Sequence, residues 1–97
     1  MENRSHDNEQ IRTLRIENEL GLHARSAAKI VALANQFKAD LYFKKEGQEV
    51  DGSSILSILT LACPRGTEIE VRTVGEESVA LMEAVSELFK EKFGELK

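Results

Sequence analysis

Cysteine, histidine and tryptophan are scarce or missing in this chain, which has one cysteine, two histidines and no tryptophan. The single thiol, Cys63, has no partner for an internal disulfide. With only His6 and His23 beside it, the inventory of metal ligands is thin. A disulfide scaffold and a structural zinc site are therefore set aside, and neither a metal nor a cofactor is expected. Basic residues are outnumbered, 13 Lys plus Arg against 17 Asp plus Glu, which leaves a net charge of -4. Such a surface repels phosphate backbones overall, so nucleic acid is a poor candidate partner. No uninterrupted apolar run nears the roughly 20 residues of a membrane span, and the first ten residues, MENRSHDNEQ, lack the apolar stretch of a secretory signal. The expectation is a cytoplasmic chain with no membrane insertion.

What is present suffices for one core. At 97 residues, 41% of them hydrophobic, the chain has the size of a single small domain. Residues 1–10 hold one apolar side chain, Met1, and are expected to be a disordered N-terminal tail, with the domain spanning 11–97. From Thr13 the pattern alternates, Leu14 and Ile16 against Arg15 and Glu17, as in a strand with one buried face. Ala27, Ile30, Val31 and Ala34 then fall at i, i+3, i+4 and i+7, predicting a helix from about Ala24 to Phe37. Leu41 and Phe43 alternate with Tyr42 and Lys44, Glu46-Gly47 offers a turn, and Gln48-Glu49-Val50 returns as a hairpin strand. Ser53 and Ser54 precede a short helix from Ile55 to Ala62 that Cys63-Pro64-Arg65-Gly66 stops. A fourth strand carries Ile69 and Val71, and a last helix runs from Glu76 to about Lys92, with Met82, Val85, Phe89 and Phe93 on one stripe. Alternating strands have one apolar face, so the helices must cover it. The fold class is α+β: a two-layer open-faced sandwich in the order βαββαβα, with a four-stranded antiparallel sheet and three helices on one face.

Candidate chemistry sits at His23, where a glycine-containing loop meets the start of the first helix. The first amides of a helix lack intrahelical acceptors, and the macrodipole adds positive potential there, so an anion at this end finds donors. Ala24 and Ser26 stand at positions that supply such donors, and Arg25 can add a guanidinium. A neutral imidazole is a competent nucleophile near neutral pH, so the constellation suits a transferable phosphoryl group. The same residue also fits an ordinary helix cap, and the local pattern alone leaves both readings open.

The stretch Gly21-Leu22-His23-Ala24-Arg25-Ser26-Ala27-Ala28 resembles the active-site signature GLHARPA of HPr, the histidine-containing phosphocarrier family of the bacterial phosphoenolpyruvate-dependent phosphotransferase system. The block from Val50 to Ala62 resembles that family's regulatory-serine region. The resemblance spans about Leu14 to Phe89 and implies the same βαββαβα sandwich. It implies that His23 accepts a phosphoryl group on Nδ1 from phosphorylated enzyme I and passes it to the enzyme II A domains of sugar permeases, as a carrier rather than an enzyme. It further implies Ser54 as a regulatory phosphorylation site in hosts with an HPr kinase/phosphorylase and a responding transcriptional regulator. Ser26 departs from the signature, standing where the family usually has proline. Its hydroxyl can add a donor to the phosphoryl group or loosen the turn.

The short second helix carries two apolar stripes, Ile55-Leu56-Leu59 and Ile58-Leu61-Ala62, and one sheet cannot cover both. The resemblance makes Ile55, Leu56 and Leu59 the outward, partner-binding set. A monomer is expected. The alternatives are a nitrogen-related or otherwise regulatory paralogue acting mainly through protein contacts, and a small RNA- or metabolite-binding α+β domain. The acidic balance and the lack of aromatics at stacking spacing on the strands argue against the last.

Overall fold

The computed structural model describes residues 8–97. Its elements are β1 (Glu9–Arg15), α1 (Ala24–Ala34), β2 (Asp40–Lys45), β3 (Gln48–Asp51), α2 (Ile55–Leu59), β4 (Glu68–Val74) and α3 (Ser78–Lys90), closed by a 3-10 turn at Lys92–Gly94. The four strands form one antiparallel sheet in the order β1-β4-β2-β3. This is the open-faced sandwich that the alternation predicts, with all three helices on the apolar side.

Packing follows the predicted stripes. Leu41, Phe43, Ile69 and Val71 point from the sheet into a core completed by Ala27, Ile30 and Ala34 of α1, Ile58 of α2, and Leu81, Met82, Val85 and Phe89 of α3. Phe89 links this core to the chain end, its ring 6.2 Å from that of Phe43 and 5.0 Å from that of Phe93. On the open face the Arg72 guanidinium stacks on the Tyr42 ring at 4.4 Å and bridges Glu9 and Glu49. In the β2–β3 hairpin Lys45 faces Gln48, so Glu46-Gly47 is a two-residue turn. Both residues have positive φ, the primed geometry that suits the sheet twist.

Several boundaries differ from the expectation. Glu9 and Gln10 are not tail: they open β1, opposite Val74 and Thr73, and the Glu9 carboxylate meets Arg72. Pairing and an ion pair hold a segment with no apolar residue of its own. Residues 1–7 of the expected tail, His6 among them, lie outside the described residues. α1 ends at Ala34 rather than Phe37, which follows in a turn yet still packs on the core. α2 stops at Leu59 rather than Ala62. Lys45 Nζ donates to the Leu61 and Ala62 carbonyls at 3.0 and 2.7 Å, and Ala62 turns to φ 53°, leaving its methyl exposed. Phe93 is buried as expected but lies beyond α3, within the closing turn.

Candidate functional site

The loop from Asn18 to Leu22 delivers His23 to the start of α1. Gly21 has φ +70°, and a Cβ there would stand 2.4 Å from the Cys63 carbonyl, so the position needs glycine on both counts. The close approach lets the Leu22 amide donate to that same carbonyl at 2.9 Å, pinning the loop to the segment after α2. Cys63 is buried there, and burial pushes its thiol above the ordinary range, the opposite of what a reactive cysteine needs.

His23 is the N-cap of α1, in extended conformation. Its Nδ1 accepts from the Arg25 amide at 3.3 Å. Its Nε2 lies 2.7 Å from Oε2 of Glu95, and the ring remains a quarter exposed. Nδ1 therefore faces the positive end of the helix, while Nε2 faces a carboxylate. Ala24 and Arg25 are exposed at the first turn, as a site that receives a bulky anion requires.

Ser26 behaves differently from either expected role. It is fully buried, and its hydroxyl accepts from the His23 amide at 2.9 Å while facing the His23 and Gly21 carbonyls at 3.1 and 3.4 Å. That hydroxyl is committed to the loop: it is no free donor for an anion, and it tightens the helix start rather than loosening it. Only its backbone amide remains a candidate donor.

Glu95 and Asn18 are the residues that sequence reasoning missed. After α3 the chain reverses through three successive residues of positive φ, Lys92, Phe93 and Gly94. Lys29 Nζ holds the Phe93 carbonyl at 2.6 Å, and the Glu19 amide donates to the Lys97 carbonyl at 2.9 Å. This reversal lays Glu95 against His23. Asn18, fully buried, donates from Nδ2 to both the Gly21 carbonyl at 2.8 Å and Glu95 Oε1 at 2.9 Å. Burial works against the Glu95 charge, but the hydrogen bonds from Asn18 and His23 and the nearby charges of His23 and Arg25 outweigh it, holding the carboxyl below its ordinary 4.5. A cavity of about 370 Å³ opens beside this cluster, lined among others by Leu20, Arg25, Lys29, Glu95 and Lys97. Periodicity could not reveal Glu95; the one sequence signal is the Phe93-Gly94 break that ends the last helical stripe.

α2 packs beside α1. Ser54 is its N-cap, the hydroxyl accepting from the Ser57 amide at 3.2 Å, whereas Ser53 is tied through its amide and hydroxyl to Asp51. Leu56 is 78% exposed and Ile55 37%, as the outward stripe requires. Leu59 departs from it: half-buried, it packs against the core.

A family model for the PTS HPr component phosphorylation site matches residues 11–91. The chain belongs to the HPr family. It is 42% identical to the phosphocarrier protein HPr of Xylella fastidiosa strain Temecula1 over 82 residues, 84% of this chain and 92% of that protein. Its fold superposes on the crystal structure of HPr-C-His from Thermoanaerobacter tengcongensis with a TM-score of 0.87 at 31% identity, covering 91% of this chain and 99% of that one. Crh of Bacillus subtilis, whose crystal structure is described as a swapped dimer, superposes with a TM-score of 0.71 at 32% identity, covering 81% and 91%. Membership makes the chain a phosphocarrier-family protein rather than an enzyme of the ordinary kind. Among the described residues no helix is long and apolar enough to cross a membrane.

Proposed function

We propose that this protein is the phosphoryl carrier of a sugar phosphotransferase system, acting in the cytoplasm. His23 takes a phosphoryl group on Nδ1 from phosphorylated enzyme I and passes it to the enzyme II A domains of permeases. The observation that supports this reading most is the orientation of His23, whose Nδ1 is turned toward the Arg25 amide at the start of α1. A phosphoryl group built on Nδ1 enters the positive end of that helix, with the amides at Ala24 and Ser26 within its first turn and the exposed Arg25 guanidinium as counter-charge. Uptake makes one nitrogen–phosphorus bond at His23 and breaks the one to the donor, and delivery breaks the bond at His23 and makes one to the acceptor, so the chain is a stoichiometric intermediate. The exposed Ile55 and Leu56 supply an apolar docking patch, with Leu59 at its inner margin. Phosphorylation of Ser54 by an HPr kinase/phosphorylase, read by a transcriptional regulator, belongs to the same proposal and is supported by the position of Ser54 next to that patch. The working unit is a single chain; the swapped dimer described for Crh makes solution mass the measurement that decides it.

The test is incubation with enzyme I and phosphoenolpyruvate, followed by intact mass and acid treatment. The wild-type protein should gain one acid-labile phosphoryl group. His23→Ala should gain none while keeping its fold, because a quarter-exposed cap contributes little to the core. An acid-labile phosphate on the His23→Ala protein would move the acceptor elsewhere and end the proposal.

A further inference from the structure

The His23 imidazole has two different neighbours, and together they determine which nitrogen carries its proton. A backbone amide can only donate, so the contact from the Arg25 amide at 3.3 Å requires a lone pair on Nδ1. The carboxylate of Glu95, 2.7 Å from Nε2, can only accept when ionised, so it requires the proton on Nε2. Glu95 is itself fixed. Its other oxygen accepts from Asn18, a fully buried side chain whose second N–H is held by the Gly21 carbonyl. The whole carboxamide is turned toward these two acceptors at the expense of its own oxygen, Oδ1, which is buried with no partner among the described residues. An unpaired buried acceptor is costly, so the orientation is enforced by what it holds.

We propose that Glu95, oriented by Asn18, is a positioning residue for phosphoryl transfer: it keeps the His23 proton on Nε2 and the lone pair on Nδ1, and it neutralises the charge the ring acquires when Nδ1 becomes phosphorylated. The inference rests on the phosphocarrier reading of His23. In the transfer the Nδ1 lone pair forms the new bond to phosphorus, and the bond from phosphorus to the donor group on phosphorylated enzyme I breaks, its electron pair leaving with the donor. The Nε2 proton stays in place, so the ring gains one positive charge, next to the anionic Glu95. Passing the phosphoryl group onward reverses these steps, returning the ring to neutrality. Because Glu95 sits on the far nitrogen, its charge meets the ring rather than the incoming phosphate. The carboxylate comes from the chain's closing turn, 72 residues from His23, so the C-terminal reversal completes a site that the signature motif only begins.

The experiment compares Glu95→Ala, Glu95→Gln and Glu95→Asp by nitrogen NMR of ¹⁵N-labelled histidine and by single-turnover transfer from enzyme I. At about pH 8.5, where an ordinary imidazole is neutral, the wild-type ring should show the Nε2–H tautomer almost alone, and the alanine variant a mixture. Glutamine keeps the shape without the charge, and its single oxygen cannot accept from both Asn18 and Nε2, so it should relax the tautomer and slow transfer by about tenfold. Aspartate restores the charge and should recover part of the rate. Mixed tautomers in the wild type, or wild-type transfer rates in both uncharged variants, would overturn the inference. So would faster transfer in the alanine variant, which would make Glu95 a restraint instead. If wild-type protein takes no phosphoryl group at all, the carrier reading fails, while the tautomer spectra still report on Glu95.

Discussion

Two neighbouring positions on α2 separate docking from folding. Leu56 is 78% exposed and Ile58 is fully buried, although both belong to a five-residue helix. Full burial of a leucine side chain is worth about 1.5–3 kcal/mol, so the fifth of Leu56 that is covered contributes roughly 0.3–0.7 kcal/mol. Leu56→Glu forfeits that amount but places a carboxylate in the first turn of a helix, a gain of roughly 0.3–1 kcal/mol. The two nearly cancel, and the melting temperature should move by no more than a few degrees. Ile58→Ala instead opens a cavity in the core, at a cost of about 2–5 kcal/mol. For a domain of this size each kcal/mol lowers the melting temperature by about 4–8 °C, so a drop of at least about 8 °C is expected. Calorimetric titration with enzyme I should show the reverse ranking: an affinity loss of about tenfold or more for Leu56→Glu, and wild-type affinity for Ile58→Ala below its melting point. A large loss of stability in the Leu56 variant, or unchanged affinity with unchanged stability, would refute the assignment of the patch. Leu59→Glu is expected to fail in both assays, because Leu59 packs against the core.

Ser26→Ala removes the acceptor of the part-buried His23 amide and should cost about 0.5–1.5 kcal/mol in thermal unfolding; a change under about 0.5 kcal/mol would show that water replaces the hydroxyl. Ser54→Asp should slow transfer through His23 more than Ser53→Asp does, since only Ser54 caps α2; equal rates for wild type and the Ser54 variant would remove the regulatory role. Glu95 has a folded-state pKa below its ordinary 4.5, so its contribution to stability is complete above that value and is lost as pH falls through the lowered one. In melting curves the advantage of wild type over Glu95→Gln should therefore persist down to about pH 4.5 and shrink as the pH is lowered further. A constant difference across that range would mean that the carboxylate charge contributes nothing there.

The order of elements was legible because burial leaves a period in the sequence: Leu41 and Phe43, then Ile69 and Val71, every second residue; Ala27, Ile30 and Ala34 every turn of a helix. What stayed hidden is held by contacts with no period. Glu9 and Gln10 read as tail because they bury nothing themselves; they are held by the β4 edge and by Arg72, more than sixty residues away. The end of α2 read three residues late because the backbone tightens there, the Leu61 and Ala62 amides donating to the carbonyls of Ile58 and Leu59 three residues back, while Lys45 of β2 takes the carbonyls beyond the helix.

The site divides along the same line. His23, Ala24, Arg25 and Ser26 are contiguous, so a motif finds them, and their place at a helix start is one where an anion would meet donors. A motif cannot say what a buried hydroxyl does, and Ser26 proved to close the loop rather than reach outward. Nor can it report the far side of the imidazole. That side is supplied by Glu95, whose place depends on left-handed backbone at Lys92, Phe93 and Gly94, on the Phe93 ring anchored against Phe89, and on Lys29 and Glu19 gripping the chain before and after it, at Phe93 and Lys97. Of the three left-handed residues only Gly94 adopts that conformation without strain. Lys92 and Phe93 are held there by the contacts around them, so the cost of the turn is borne by the same packing that buries Phe93. The orientation of the His23 ring is in this way tied to the core: loosening Phe93 would free Glu95, and with it the proposed control over which nitrogen carries the proton.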